Sequence, residues 1–231
     1  MNLWLYYLFT FFTIILLRYF LLAGGAYWLF YSSSGKLFQE NTKKRQLIKK
    51  DITLSIAAAT ASAICAALVM TVYDSGSTLL YSSIEEHGTA YLFVSFIGVI
   101  LLQDACYYFL HRWFHHPLVY NWLHRGHHRS KEPTPWTSFA LDFPEALIQG
   151  LFLVAIIFIV PLHFAVLAVW LITMTIWSLV THLGFELFPN FPNHWLGKWL
   201  ISSNHHSLHH RQYTKHYGLY FTFWDRLLGT N

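Results

Sequence analysis

Hydrophobic positions along this chain gather into long unbroken runs rather than short amphipathic stripes. The runs Leu3 to Phe30, Ile52 to Tyr73, Tyr91 to Leu110 and Ala146 to Val180 each hold enough apolar residues to cross a bilayer core as a helix. The last is long enough for two passes. Pro161 and His163 near its middle mark either a turn between two helices or a hairpin that does not fully cross. The pattern therefore predicts an all-α fold, an integral membrane helical bundle of four or five segments.

Composition agrees, with 55% hydrophobic residues, 19% aromatics and only 11% charged residues, a balance unsuited to a soluble domain of 231 residues. The basic residues add an orientation. Six lie between the first two runs, from Lys36 to Lys50; Arg112, Arg125, Arg129 and Lys131 follow the third, and Lys198, Arg211, Lys215 and Arg226 follow the last. The stretch from Asp74 to Gly88 has none and carries Asp74, Glu85 and Glu86. With the N-terminus outside and five passes, fourteen of fifteen basic residues fall on one side, which marks it as cytoplasmic; Arg18 alone lies within a run. The net charge of +4 thus reads as topology and headgroup contact, and gives no reason to expect a nucleic-acid partner. The first run lacks a basic start and a small-residue cleavage site, so it reads as an anchor rather than a secretory signal. Cys65 and Cys106, both inside predicted helices, argue against a disulfide framework or a thiolate metal site.

Histidine carries the chemistry. Of fifteen, His111, His115 and His116 follow the third run, His124, His127 and His128 come next, and His205, His206, His209 and His210 lie near the C-terminus. Residues three or four apart share a helix face, so His111 with His115, His124 with His127 and His128, and His206 with His209 and His210 can each aim imidazoles at one point. A single histidine in such a place more often caps a helix or meets headgroups. Three clusters together point to metal, and eight or more ligands exceed what one ion can use. Imidazole suits Fe, Zn, Cu and Ni, and no cluster of thiolates or carboxylates stands beside these rings. His116, before Pro117, reads as a helix end, and His205 as a flank of the last cluster.

The segments HRWFHH (His111 to His116), HRGHH (His124 to His128), HSLHH (His206 to His210) and YGLYFTFWDRLLGT (Tyr217 to Thr230) resemble the fatty acid hydroxylase/sterol desaturase superfamily. The likeness runs from about Leu101 to the end; before that the chain is similar only in being hydrophobic. It implies one domain over 1–231, with anchor helices in 1–100 and a cytosolic histidine-rich helical cap in 101–231 holding a dimetal centre. By this resemblance the ligands are His111, His115, His124, His127, His128, His206, His209 and His210, and THLGFELFP (Thr181 to Pro189) adds His182. The family often has Asn where this chain has His216, which leaves that residue open as an extra ligand, a supporting bond or a surface residue.

Other residues have weaker claims. Asp104 lies two turns before His111 on one face, so it is expected to bond a ligand imidazole, with helix packing as the alternative. Glu145 either approaches the site or caps a helix at the interface. Asp225 and Arg226 are expected to be structural, as a pair beneath the cap. Trp113, Trp122, Trp136, Trp195 and Trp199 suit the membrane interface. His87, His163 and His194 read as loop or interface residues.

The resemblance implies two iron ions, with zinc as a substitute in purified protein. It further implies dioxygen as co-substrate, an external electron carrier (a cytochrome b-type protein, ferredoxin or reductase), and a lipid drawn from the bilayer. Hydroxylation or monooxygenation is favoured over desaturation. The membrane would be a bacterial inner membrane or the endoplasmic reticulum. A zinc-dependent membrane hydrolase is the first alternative, but it would keep a general-base carboxylate within its motif, and these boxes contain none. A metal transporter would place its ligands within the crossing helices. A non-catalytic lipid-binding relative would have lost box residues.

Overall fold

A computed structural model describes residues 2–32, 42–188 and 190–231; Lys36 and Pro189 fall outside them. The chain is an all-α membrane bundle. Among the described residues four helices are long and apolar enough to cross a bilayer: α1 (Leu3–Tyr31), α2 (Thr42–Asp74), α3 (Thr89–Phe114) and, later in the chain, Phe164–Thr181. Between the last two come α4 (Pro117–Leu123) and α5 (Phe143–Ile156), so Phe164–Thr181 is α6; α7 (Ser203–Gln212) and α8 (Phe223–Leu227) close the chain.

The run Ala146 to Val180 resolves into α5 and α6 joined by a turn around Pro161. At about 1.5 Å per residue, the 14 residues of α5 reach only about 21 Å, short of the roughly 30 Å of a hydrocarbon core. Its far end nevertheless meets the loop after α2. Leu79 donates to Ile157 O, Leu162 donates to Leu79 O, and the two-residue strands β1 (Leu80–Tyr81) and β2 (Leu162–His163) pair in parallel. The shortfall is absorbed at the other end, where α5 begins among the histidines rather than beyond them. His163 acts as a loop residue, its Nδ1 accepting from Ala165 N and its Nε2 donating to Ser82 O. The start of α1 lies at this same far end, with Tyr7 Oη donating to Asp74, while Tyr31 at the box end donates to Leu183 O. The chain therefore passes five times between its two ends.

Small residues let the helices approach closely. Ala58, Ala61 and Ala146 form a buried patch between α2 and α5, and a Cβ on Gly150 would collide with Cys65 Sγ. A larger apolar core, including Val69, Val99, Ile156, Leu162, Trp170 and Tyr220, joins α2, α3, α5 and α6 nearer the far end. Toward the box end α2 turns polar, and its buried Asp51 accepts from Ser130 and Thr137, tying the loop before α5 to the bundle. Trp136 is no surface anchor: it packs against Tyr19, Tyr27 and Gly24 of α1. Arg18, the cation within the first run, donates from Nη1 to Thr175 Oγ1 and lies over the Phe139 ring.

Candidate metal centre

Nine imidazoles meet at the box end. His111 rides the last turn of α3 and His115 caps it. Pro117 then starts α4, whose N-cap is His116, with Nδ1 accepting from Leu118 N. α4 stops at His124, and the second box continues as a turn and a short 3-10 segment, His127–Arg129. Gly126 is needed there because a Cβ would run into the Asp142 carboxylate, which accepts from Gly126 N at 2.7 Å. His182 caps α6, followed by Gly184 at φ +77°, where a Cβ would strike Pro133 O. The third box lies on α7, started by Ser202 and His205 in a reciprocal capping box.

The expectation that each box aims at one point is corrected by the geometry. Two groups form: His111, His115, His124, His128 and His209 in one, and His127, His182, His206 and His210 in the other. Residues four apart stay together, as 111 with 115, 124 with 128 and 206 with 210. His127 and His209 each point into the group centred on the other box. On α7 the reason is simple, because adjacent residues diverge by about 100° around the axis. In the second box the chain leaves the helix at His124, so the spacing no longer describes a single helical face.

All nine rings present Nε2 inward. Within the first group Nε2 atoms stand 3.1 Å apart for His111–His124, His124–His128, His128–His209 and His209–His115. In the second the separations are 3.5 Å for His127–His182, 2.9 Å for His182–His206 and 3.1 Å for His206–His210. Two nitrogens bound at right angles to one ion at about 2.1 Å are about 3 Å apart, so these separations match the edges of a coordination polyhedron.

The outer nitrogens settle the proton positions. A carbonyl only accepts, so Nδ1 carries the hydrogen in His111 (to Tyr217 O, 2.9 Å), His127 (Ala140 O, 3.2 Å), His182 (Ser178 O, 2.7 Å), His209 (Lys215 O, 2.6 Å) and His210 (Ser130 O, 3.0 Å). Their Nε2 atoms are bare lone pairs. In His127–His182, two such lone pairs face each other with no proton between them, an arrangement that repels unless a cation lies in the middle. Burial holds these two imidazoles neutral by pushing their pKa values down, to about 4 for His127 and about 3 for His182. The donor set therefore fits two metal ions, one for each group.

Two further expectations change. Asp104 bonds no imidazole: its Oδ1 accepts from Tyr220 N at 2.7 Å and Phe221 N at 3.1 Å, which fastens the closing segment to α3. That segment also carries the Tyr217 carbonyl behind His111, so the backbone of the closing segment connects Asp104 to that ring. The carboxylate next to a ring is Glu145, fully buried, with Oε2 2.8 Å from His124 Nδ1. His216 joins neither group. Its ring lies tilted against His205 with centroids 4.8 Å apart, and the residue has a left-handed backbone at φ 56° and donates its N–H to Thr230 O. Asp225 does not pair with Arg226. It accepts from Tyr217 N, Gly218 N and Thr230 Oγ1, while Arg226 donates to Lys198 O and lies over Trp199.

Four tyrosines missed by the sequence reading surround the first group: Tyr107 and Tyr217 against His111, and Tyr120 and Tyr213 against His115 and His128. Their spacing in sequence carries no signal, because they reach the site from three different elements. Leu101, Asp104, Trp199, Phe221, Phe223 and Trp224 line a mainly apolar groove of about 310 Å³ between α3 and the closing segment.

Comparison with known proteins agrees with this geometry. A family model described as Fatty acid hydroxylase matches residues 96–230. The chain is 31% identical over 156 residues to a Delta(7)-sterol 5(6)-desaturase of Gibberella zeae, covering 68% of this chain and 47% of that protein. It is 32% identical over 176 residues to a Delta(7)-sterol 5(6)-desaturase of Aspergillus fumigatus (68% and 54%), and 36% identical over 157 residues to the lathosterol oxidase of Homo sapiens (67% and 51%). The chain thus spans about half the length of these curated relatives. No solved structure matches it significantly. Nine inward-facing imidazoles in a membrane bundle and a family match over more than half the sequence lead to one conclusion: this chain belongs to the fatty acid hydroxylase family, within the fatty acid hydroxylase/sterol desaturase superfamily.

Proposed function

We propose that the chain is a membrane di-iron oxidase that removes hydrogen from an unactivated C–H bond of a sterol-like lipid, with its boxes on the cytoplasmic side. The observation that carries this reading is the set of nine inward Nε2 atoms in two groups, with bare lone pairs at metal-ligand spacing. The ligands would be His111, His115, His124, His128 and His209 for one ion and His127, His182, His206 and His210 for the other, which leaves His216 and Asp104 outside both sets. Two bound irons supply dioxygen activation, given electrons from an external carrier.

The chain's own residues do the rest. Backbone carbonyls of Ala140, Ser178, Ser130, Tyr217 and Lys215 fix the ring orientations, so the ligands need little rearrangement to bind metal. The centre is buried, which keeps water from the reacting carbon. The apolar groove beside Asp104 and Phe221 is the side from which a lipid approaches from the bilayer. The names of the relatives move the preference from hydroxylation toward desaturation of a sterol ring.

The test is lipid analysis of cells with and without the gene, grown under isotope-labelled dioxygen. Desaturation gives a gene-dependent double bond without label in the lipid; hydroxylation gives a labelled hydroxyl. His127→Ala and His209→Ala should each abolish the change while the protein still reaches the membrane. Turnover surviving in either variant, or a lipid profile indifferent to the gene, would refute the reading.

A further inference from the structure

The two groups differ in what stands behind their rings. In the four-histidine group His127, His182 and His210 lean on neutral carbonyls, from Ala140, Ser178 and Ser130. In the five-histidine group, His111 and His209 also lean on carbonyls, but His124 faces the Glu145 carboxylate. Neither Glu145 nor the His124 side chain is exposed at all. The 2.8 Å approach lies off the line of an ideal hydrogen bond, so it is a close polar contact between the carboxyl and the ring. His124 also stands within its group, with Nε2 3.1 Å from both His111 and His128.

Glu145 is held in place with care. It sits in the first turn of α5, its Oε1 accepts from Gln149 Nε2 at 3.0 Å, and the N-cap Asp142 binds Gly126 in the loop that carries His124. Among the described residues no Lys or Arg forms an ion pair with it. A buried carboxylate without a fixed cation is costly, and the nearest place for a compensating charge is across the imidazole ring, at His124 Nε2. A carboxylate behind a ligating imidazole makes that ring more basic and holds its orientation.

We propose that Glu145 is a positioning residue that makes the two metal positions inequivalent, by setting a carboxyl group directly behind a ring of the five-histidine position. That position holds its ion longer and favours the more oxidised state. The four-histidine position, with fewer ligands and neutral supports, releases its ion first and keeps more coordination sites open. This inference rests on the two-metal reading above.

The experiment uses the full chain in detergent or nanodiscs, loaded with isotopically enriched ferrous iron and challenged with a chelator. Metal per chain is followed in time, and Mössbauer spectra are recorded before the challenge. Wild-type protein should start with two irons, show two distinct iron signals and lose them in a fast and a slow phase. Glu145→Gln should speed the slow phase on the order of 10–100-fold, leave the fast phase unchanged and shift only one iron signal. Glu145→Asp, which keeps the carboxyl group, should restore part of the slow phase; a purely structural role predicts no such rescue. If Glu145→Gln does not accumulate, Gln149→Leu, which frees the carboxylate from its other bond, should move the slow phase in the same direction by a smaller factor. A slow phase and spectra unchanged in the variant that accumulates would overturn the role of Glu145. Fewer than two irons in the wild type would instead overturn the two-metal reading beneath it.

Discussion

Single side chains decide which nitrogen each histidine offers. Wherever Nδ1 meets a carbonyl the proton is committed outward, and Nε2 is left as a ligand before any ion arrives. Asp104 touches no ring and instead fastens the segment that carries the Tyr217 carbonyl. Because one oxygen accepts from both Tyr220 and Phe221, Asp104→Asn retains an acceptor and should keep most of the activity. Asp104→Leu strands those backbone N–H groups, at on the order of 1–3 kcal/mol for each that stays buried, and should lower both thermal stability and activity. Equal damage from the two substitutions would instead mean that the charge of Asp104 matters. His216 belongs to the same scale. Its left-handed backbone suits Asn, and its ring lies outside both groups, so His216→Asn should retain two metals per chain and near-normal turnover. Loss of a metal in that variant would place His216 among the ligands.

Elements determine how the boxes exchange partners. The pairing of His111 with His115 and of His206 with His210 was legible in the sequence, because both lie on helices where residues four apart share a face. The crossing of His127 and His209 was not, since it depends on where α4 ends and on how α7 is rotated toward the second box. His182 was identified only through family resemblance; as a lone histidine after an apolar run it carries no spacing signal. The partner of Asp104 was hidden for a similar reason. Helical periodicity placed it on the His111 face, but the backbone that claims it comes from a segment more than a hundred residues later. Glu145 remained open between two roles, because the contact that separates them is made across α4, α5 and the intervening loop.

At the scale of the whole molecule, the long apolar runs made the bundle plain, and the structure resolves the last run into two passes. The β1–β2 pairing puts the turn around Pro161 beside the loop after α2, at the end away from the histidines. The described basic residues outside the membrane helices, such as Arg129, Lys198 and Lys215, lie toward the box end, whereas Glu85 and Glu86 lie in the far loop. Single cysteines replacing Lys215 and Glu85 should therefore react with impermeant thiol reagents from opposite sides of the membrane, Lys215→Cys from the cytoplasm. Labelling of both from one side would break the five-pass topology. The central claim is that nine histidines divide into two metal positions of five and four. Anomalous X-ray scattering from crystals of iron-loaded protein tests it directly. The account predicts two peaks, one among the Nε2 atoms of His111, His115, His124, His128 and His209 and one among those of His127, His182, His206 and His210. A single peak, or a second peak elsewhere, would contradict it.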